Sequence, residues 1–189
     1  MQIADPQILP SQAGSRGMPV ELYLMQHGAS LPEELDADRP LSPVGRDSIA
    51  KSARAMKLLG LDFDAILASP KTRAQQSAAL AAQVMRRSEL ETALPVQTLD
   101  ELGPTVKAAR TLDALKDFAG KELADVALLL VGHLPNLELL AGLLVCSSGK
   151  LSLRVDNAGL TRIDTPRLEA GAGQLVWHLS PFHLQLLAG

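Results

Sequence analysis

Cysteine is almost missing from this chain: Cys146 stands alone among 189 residues. No intrachain disulfide can form, which fits a reducing cytoplasm. Aromatic residues are also scarce, at 3%. They are not interleaved with basic residues, there is no long basic run, and the net charge is −3. A nucleic-acid partner is therefore not expected. Long hydrophobic runs are absent too. The longest, Val126 to Val131, is far too short to span a bilayer, so no membrane partner is expected. What remains is the balance of a soluble globular protein, 47% hydrophobic and 21% charged. Its length suits one domain with a substantial core.

The first seventeen residues differ from the rest. Met1 to Gly17 holds Pro6, Pro10, Gly14 and Gly17 and shows no amphipathic period. It lacks the charged start and continuous apolar stretch of a signal peptide. The expectation is a disordered tail over 1–17 and a single domain over 18–189. Met18 stands just ahead of the first predicted strand, which leaves a start at Met1 or at Met18 open.

Strand and helix signals alternate from there. Val20 to Met25 reads as a buried strand ended by Gly28. Leu31 to Leu41 is a polar, acidic loop. Ser42-Pro43 has the form of an N-cap followed by proline in the first helical position. Ile49, Ala53, Met56 and Leu59 continue at helical spacing, and Gly60 stops the run. Asp64 to Ala68 is a second strand. Ser69-Pro70 repeats the cap signal and opens an Ala-rich helix toward Arg86. Val96 to Leu99 is extended, Val106 to Phe118 helical, and Val126 to Val131 a strand covered on both faces. Pro135 to Val145 is helical, broken by Ser147-Ser148-Gly149. Gly159 to Asp164 and Gln174 to Leu179 are late strands. This order predicts an α/β fold, a three-layer α/β/α sandwich around a mostly parallel sheet.

In such a sheet, ligands bind at the carboxyl ends of the strands. Gln26-His27-Gly28 follows the first strand, Ser69-Pro70 with Arg73 the second, and Gly132-His133 the Val126 strand. Three strand ends thus bring polar residues to one edge. Arg39-Pro40-Leu41-Ser42 with Gly45, and Leu99-Asp100-Glu101-Leu102, complete five stretches in fixed order.

Those five stretches resemble the histidine phosphatase superfamily, also called the phosphoglycerate mutase-like family. Within it the chain is most similar to the small SixA-like phosphohistidine phosphatases. The likeness runs from about Val20 to Ser180 and leaves no room between Arg73 and His133 for a large cap insertion. The resemblance implies the phosphoglycerate mutase-like fold, with an antiparallel edge on the sheet. It implies His27 as nucleophile, taking the phosphoryl group covalently. Its ring must be neutral, with the second nitrogen held by an acceptor. Gly28 lets the backbone turn tightly beside the phosphate. Arg73 would be the fixed cation, a planar fork for two phosphoryl oxygens in the first turn of its helix. His133 would be a phosphate donor. Gln26, Gly28, Arg39 and Ser69 are the expected substrate-binding residues.

One position departs from the family pattern: Gln26 stands where an arginine is usual. A neutral amide in place of a charged fork costs about 1–2 kcal/mol of transition-state binding, roughly ten- to thirtyfold in rate. Two readings stay open, an active phosphatase and a phosphate- or phosphoprotein-binding module of the same fold. Length and the short Arg73-to-His133 segment disfavour a mutase. Glu101 matches loosely the general acid of larger members, or it is a solvated loop end. Arg39 either touches substrate or pins its loop through Glu33, Glu34 or Asp36. His178 and His183 lie outside every motif and read as surface or packing residues. No cofactor and no metal is expected, since no His/Cys/Asp cluster has ligand spacing. The expected partner is a phosphorylated protein or a small phosphate ester, with protein phosphohistidine preferred.

Overall fold

The apolar runs become the two central strands. In the computed structural model, which describes residues 20–86, 94–119, 126–147 and 151–189, β1 is Val20–Gln26 and β4 is Val126–Gly132. They pair in parallel from Val20↔Val126 to Gln26↔Gly132. Leu22, Leu24, Leu128 and Leu130 enter one core, while Tyr23, Met25, Leu129 and Val131 enter the other. Burial on both faces explains why these runs are continuous rather than alternating.

Four further strands complete the sheet: β2 Ala65–Ala68, β3 Val96–Thr98, β5 Leu160–Thr165 and β6 Gln174–Leu179. The order is β3-β2-β4-β1-β5-β6. The first four strands in that order are parallel, and β5 runs antiparallel to both of its neighbours, β1 and β6. Helices α1 Pro43–Leu58, α2 Thr72–Met85 and α5 Pro181–Ala188 bury residues in the core with Tyr23. Helices α3 Ala108–Ala119 and α4 Asn136–Cys146 pack on the opposite face with Leu22. This is the expected three-layer α/β/α sandwich with an antiparallel edge. The short C-terminal α5 was not expected from sequence, although Ser180-Pro181 carries the same signal as Ser42-Pro43. None of the helices among the described residues is long and apolar enough to cross a membrane.

The first two proline-marked helix starts behave differently. Ser42 caps α1, its Oγ accepting from the Gly45 N–H at 3.1 Å. The second start is corrected: α2 begins at Thr72, Lys71 occupies the cap position, and no side chain caps it. Ser69 stays outside the helix because its hydroxyl is committed to His133 instead, at 2.9 Å.

At its other end α1 closes on a Schellman motif. The Leu61 N–H reaches the Met56 carbonyl at 3.0 Å and the Gly60 N–H reaches Lys57 at 3.1 Å, with Gly60 at φ +70. No described residue lies within 4 Å of a Cβ added there, and it is the backbone conformation that opposes a side chain. Gly60→Ala is therefore expected to destabilise the fold by about 1 kcal/mol, measured by urea unfolding with unchanged m-value. The predicted tail over 1–17 and the 148–149 part of the Ser147-Ser148-Gly149 break lie outside the described residues.

Candidate active site

Register alone brings two histidines together. Gln26 and Gly132 are paired across β1 and β4, so the next residue of each strand, His27 and His133, leaves the sheet at the same edge. Their ring centroids are 4.8 Å apart. The His27 N–H donates to the Gly132 carbonyl at 3.2 Å, continuing the ladder one step. Beside β4, β2 delivers Ser69 and α2, whose first turn carries Arg73.

The hydrogen bonds fix the tautomers. His27 Nδ1 lies 2.7 Å from the Gly28 carbonyl, and a carbonyl only accepts, so Nδ1 carries the proton. Nε2 keeps its lone pair, which receives Arg73 Nε–H at 3.0 Å. This is the acceptor-held neutral imidazole that a nitrogen nucleophile requires. The second guanidinium arm of Arg73, Nη2, lies 3.4 Å from His133 Nδ1. Because arginine only donates, His133 Nδ1 accepts, and its Nε2–H donates to Ser69 Oγ. One Arg fork thus spans both rings.

Charge state follows from burial. Desolvation lowers His27 to about 4, with the Arg73 and Arg39 charges pushing the same way against the Gly28 hydrogen bond. His133 is lowered to about 3, by desolvation first and then by His27, Arg73 and Lys71. Arg73 is itself lowered by burial and by Arg39. Both rings are neutral at ordinary pH. In the unfolded chain each returns to the ordinary 6.5. The unfolded state therefore binds more protons between about 6.5 and 4, and stability falls as pH drops through that window. Thermal melts from pH 7.5 to 4.5 should show this loss, and His133→Gln should flatten it.

The cavity, of ≈ 390 Å³, is lined by Gln26, His27, Ala29, Ser30, Arg39, Arg73, Pro104, His133, Leu134 and Asn157. Arg39 thus lies at the cavity. It makes no ion pair with Glu33, Glu34 or Asp36 among the described residues; only its backbone N–H donates to the Asp36 carbonyl, at 2.9 Å. Its left-handed φ of +49 is part of the loop's turn back to α1. Gln76 Oε1 secures that loop, accepting from the Leu41 N–H at 2.8 Å. Gln26 lines the cavity, with its Oε1 buried and without a hydrogen-bond partner among the described residues.

Two expected substrate-binding residues sit behind this surface. Gly28 has its N–H on Ser77 Oγ at 3.1 Å and its carbonyl on His27 Nδ1. It is glycine because α1 presses on it: a Cβ would meet the Gly45 carbonyl oxygen at 2.7 Å and Ile49 Cγ1 at 2.9 Å. Ser69 is fully buried against His133 and positions that ring. Glu101 borders a different depression, with Arg110, Asp113, Ala114 and Asp117. A buried knot holds it there, in which Asn136 Nδ2 and Thr111 Oγ1 donate to the Glu101 carbonyl at 3.1 and 2.7 Å. The other unassigned histidines are apart from the site: His178 Nδ1 is 2.8 Å from Thr161 Oγ1, and His183 Nδ1 is 2.8 Å from Ser180 Oγ.

Three contributors escape the sequence reading. Ser77 bridges Gly28 and the Arg73 carbonyl, accepting from one and donating to the other. Gln75 donates to the Ser69 carbonyl at 2.8 Å and steadies the loop after β2. Asn157 Nδ2 donates to the His27 carbonyl at 2.6 Å. Among the described residues, no group of three or more His, Cys, Asp or Glu could hold a metal ion.

Comparison with known proteins agrees with this fold. Residues 22–103 match the family model of the Histidine phosphatase superfamily (branch 1). An uncharacterized protein of Picosynechococcus sp. is 29% identical over 162 residues, covering 84% of this chain and 90% of the relative. The structure of the protein histidine phosphatase SixA complexed with tungstate aligns with a TM-score of 0.72 at 23% identity, over 87% of this chain and 99% of that one. Mycobacterial glucosyl-3-phosphoglycerate phosphatase with VO3 aligns at 0.63 and 18% identity, over 85% and 99%. The ordered motifs and the match over residues 22–103 make this chain similar to the histidine phosphatase superfamily, and its α/β architecture is a SixA-like fold.

Proposed function

We propose that the chain is a metal-independent phosphatase that works through a phosphohistidine intermediate at His27, acting on protein phosphohistidine. The observation that carries this reading is the neutral, Nδ1-protonated His27, whose Nε2 faces Arg73 in a cavity shared with His133. In the first step Nε2 attacks phosphorus and the bond to the leaving group breaks. Arg73 releases Nε2 and takes the phosphoryl oxygens, where charge stabilisation does most of the work. In the second step water forms the new P–O bond, the N–P electron pair returns to Nε2, and both water protons leave on H2PO4⁻.

What lines the cavity supports this substrate class. Among the described residues, none that lines it bears a carboxyl group. An alkoxide leaving group needs an acid at that point. A protonated imidazole nitrogen does not, which favours a phosphohistidine side chain. Glu101→Gln is accordingly expected to leave phosphohistidine turnover within about threefold. The direct test is turnover of a phosphohistidine-bearing protein and of an aryl phosphate in chelator. Turnover that survives His27→Ala unchanged would overturn the proposal.

A second reading, a phosphate-binding module without turnover, draws on Gln26. Its neutral amide leaves Arg73 and the exposed Arg39 as the cations lining the cavity among the described residues. Gln26→Arg is expected to raise kcat/KM about tenfold, by restoring a charged fork in the transition state. A decrease that Arg39→Ala relieves would show instead that Arg39 already supplies the missing charge. Tight phosphate binding with no turnover and no label on His27 would favour the binding module.

A further inference from the structure

Asn157 reaches the cavity from the chain leading into β5, and its orientation is settled. A backbone carbonyl only accepts, so the atom 2.6 Å from the His27 carbonyl is the amide nitrogen. The other end, Oδ1, has no protein partner among the described residues, and Asn157 lines the cavity. The backbone is constrained to hold it there. Ala158 adopts a left-handed φ of +64, its N–H donates to the Gln26 carbonyl at 2.9 Å, and its carbonyl accepts Ser52 Oγ–H at 2.8 Å. A non-glycine residue in that conformation costs free energy and persists only where its surroundings over-determine it.

An acceptor oxygen is out of place in a cavity built for an anion. Phosphoryl oxygens are acceptors as well, so Asn157 Oδ1 gains nothing from them. It needs a donor. Once the leaving group has gone, the donor that enters is the water that hydrolyses the phosphohistidine. We propose that Asn157 is a catalytic residue of that second step, its Oδ1 accepting a hydrogen bond from the attacking water and orienting it toward phosphorus. This rests on the phosphohistidine mechanism at His27. The bond to the His27 carbonyl ties the water site to the nucleophile's own backbone. That backbone is held independently through the His27 N–H on Gly132 and the Gly28 N–H on Ser77, so loss of Asn157 should spare the first step.

The test separates the two steps. With an aryl phosphate in a rapid-quench apparatus, the first turnover reports phosphorylation of His27, and decay of the labelled protein reports hydrolysis. Asn157→Ala should slow hydrolysis by about 10- to 100-fold, the range for a misplaced nucleophile, and phosphorylation by less than about threefold. Label on His27 should then accumulate and a burst of released phenol appear. Asn157→Asp, which keeps an acceptor oxygen but loses the donor to His27, should hydrolyse faster than Asn157→Ala. Equal slowing of both steps, or an Asp variant no better than Ala, would reduce Asn157 to a backbone clamp and overturn the inference alone. Turnover in wild type with no label ever on His27 would overturn the mechanism and the inference together.

Discussion

His27→Ala is expected to lower kcat/KM for an aryl phosphate by at least about 10⁴-fold, down to whatever the phosphate cradle achieves with water directly. Arg73 would still gather the oxygens, but the displacement could no longer be divided into two easier steps. The fold should be nearly unaffected. His27 is only partly buried, and the strand that ends beside it is secured by β4 and β5 on either side. Stability at low pH should even improve, because a ring whose neutral form is enforced by burial has been removed. Circular dichroism and a urea melt check the first point. The pH dependence of the melting temperature checks the second.

Arg73→Met is expected to cost about 10³-fold in kcat/KM, in the range for loss of a charged clamp on a transferring phosphoryl group. Arg73→Lys should recover only part of this, since a point charge cannot span both His27 Nε2 and His133 Nδ1 as the fork does. The pH profile should move in a set direction. The Arg73 charge is among the causes that hold His27 near 4, so Arg73→Met raises that value and shifts the acid limb of kcat/KM upward. The lysine variant should shift it less. A limb that stayed in place in both would mean that His27 is not the titrating group.

The parts of this site that could be read in the sequence are those that local signals determine. β1 and β4 announce themselves because a strand covered on both faces is continuously apolar. Their parallel register then places His27 beside His133 with no further instruction. Arg73 follows from a strand-to-helix junction. Ser69-Pro70 misled as a cap because the same hydroxyl can bind a helix N–H or a histidine. The choice lay with His133, 64 residues away. Glu101 was drawn to the site by its position after β3, whereas Asn136 and Thr111 hold its backbone from α4 and α3. Asn157 carried no signal at all. Its partner is the carbonyl of a residue 130 positions earlier, and no periodicity or turn chemistry encodes such a contact. Gln26 was legible as a substitution. That its amide oxygen is buried without a partner among the described residues is a property of the packed pocket.

The most direct test of the central claim is chemical identification of the phosphorylated residue during turnover. A phosphoryl donor carrying label is mixed with the protein, quenched in alkali within milliseconds, and the labelled peptide sequenced. Acid-labile label is expected on Nε2 of His27, formed at least as fast as kcat and lost at a rate that accounts for kcat. Steady turnover with label on another residue, or with none on His27 at any time, would contradict it.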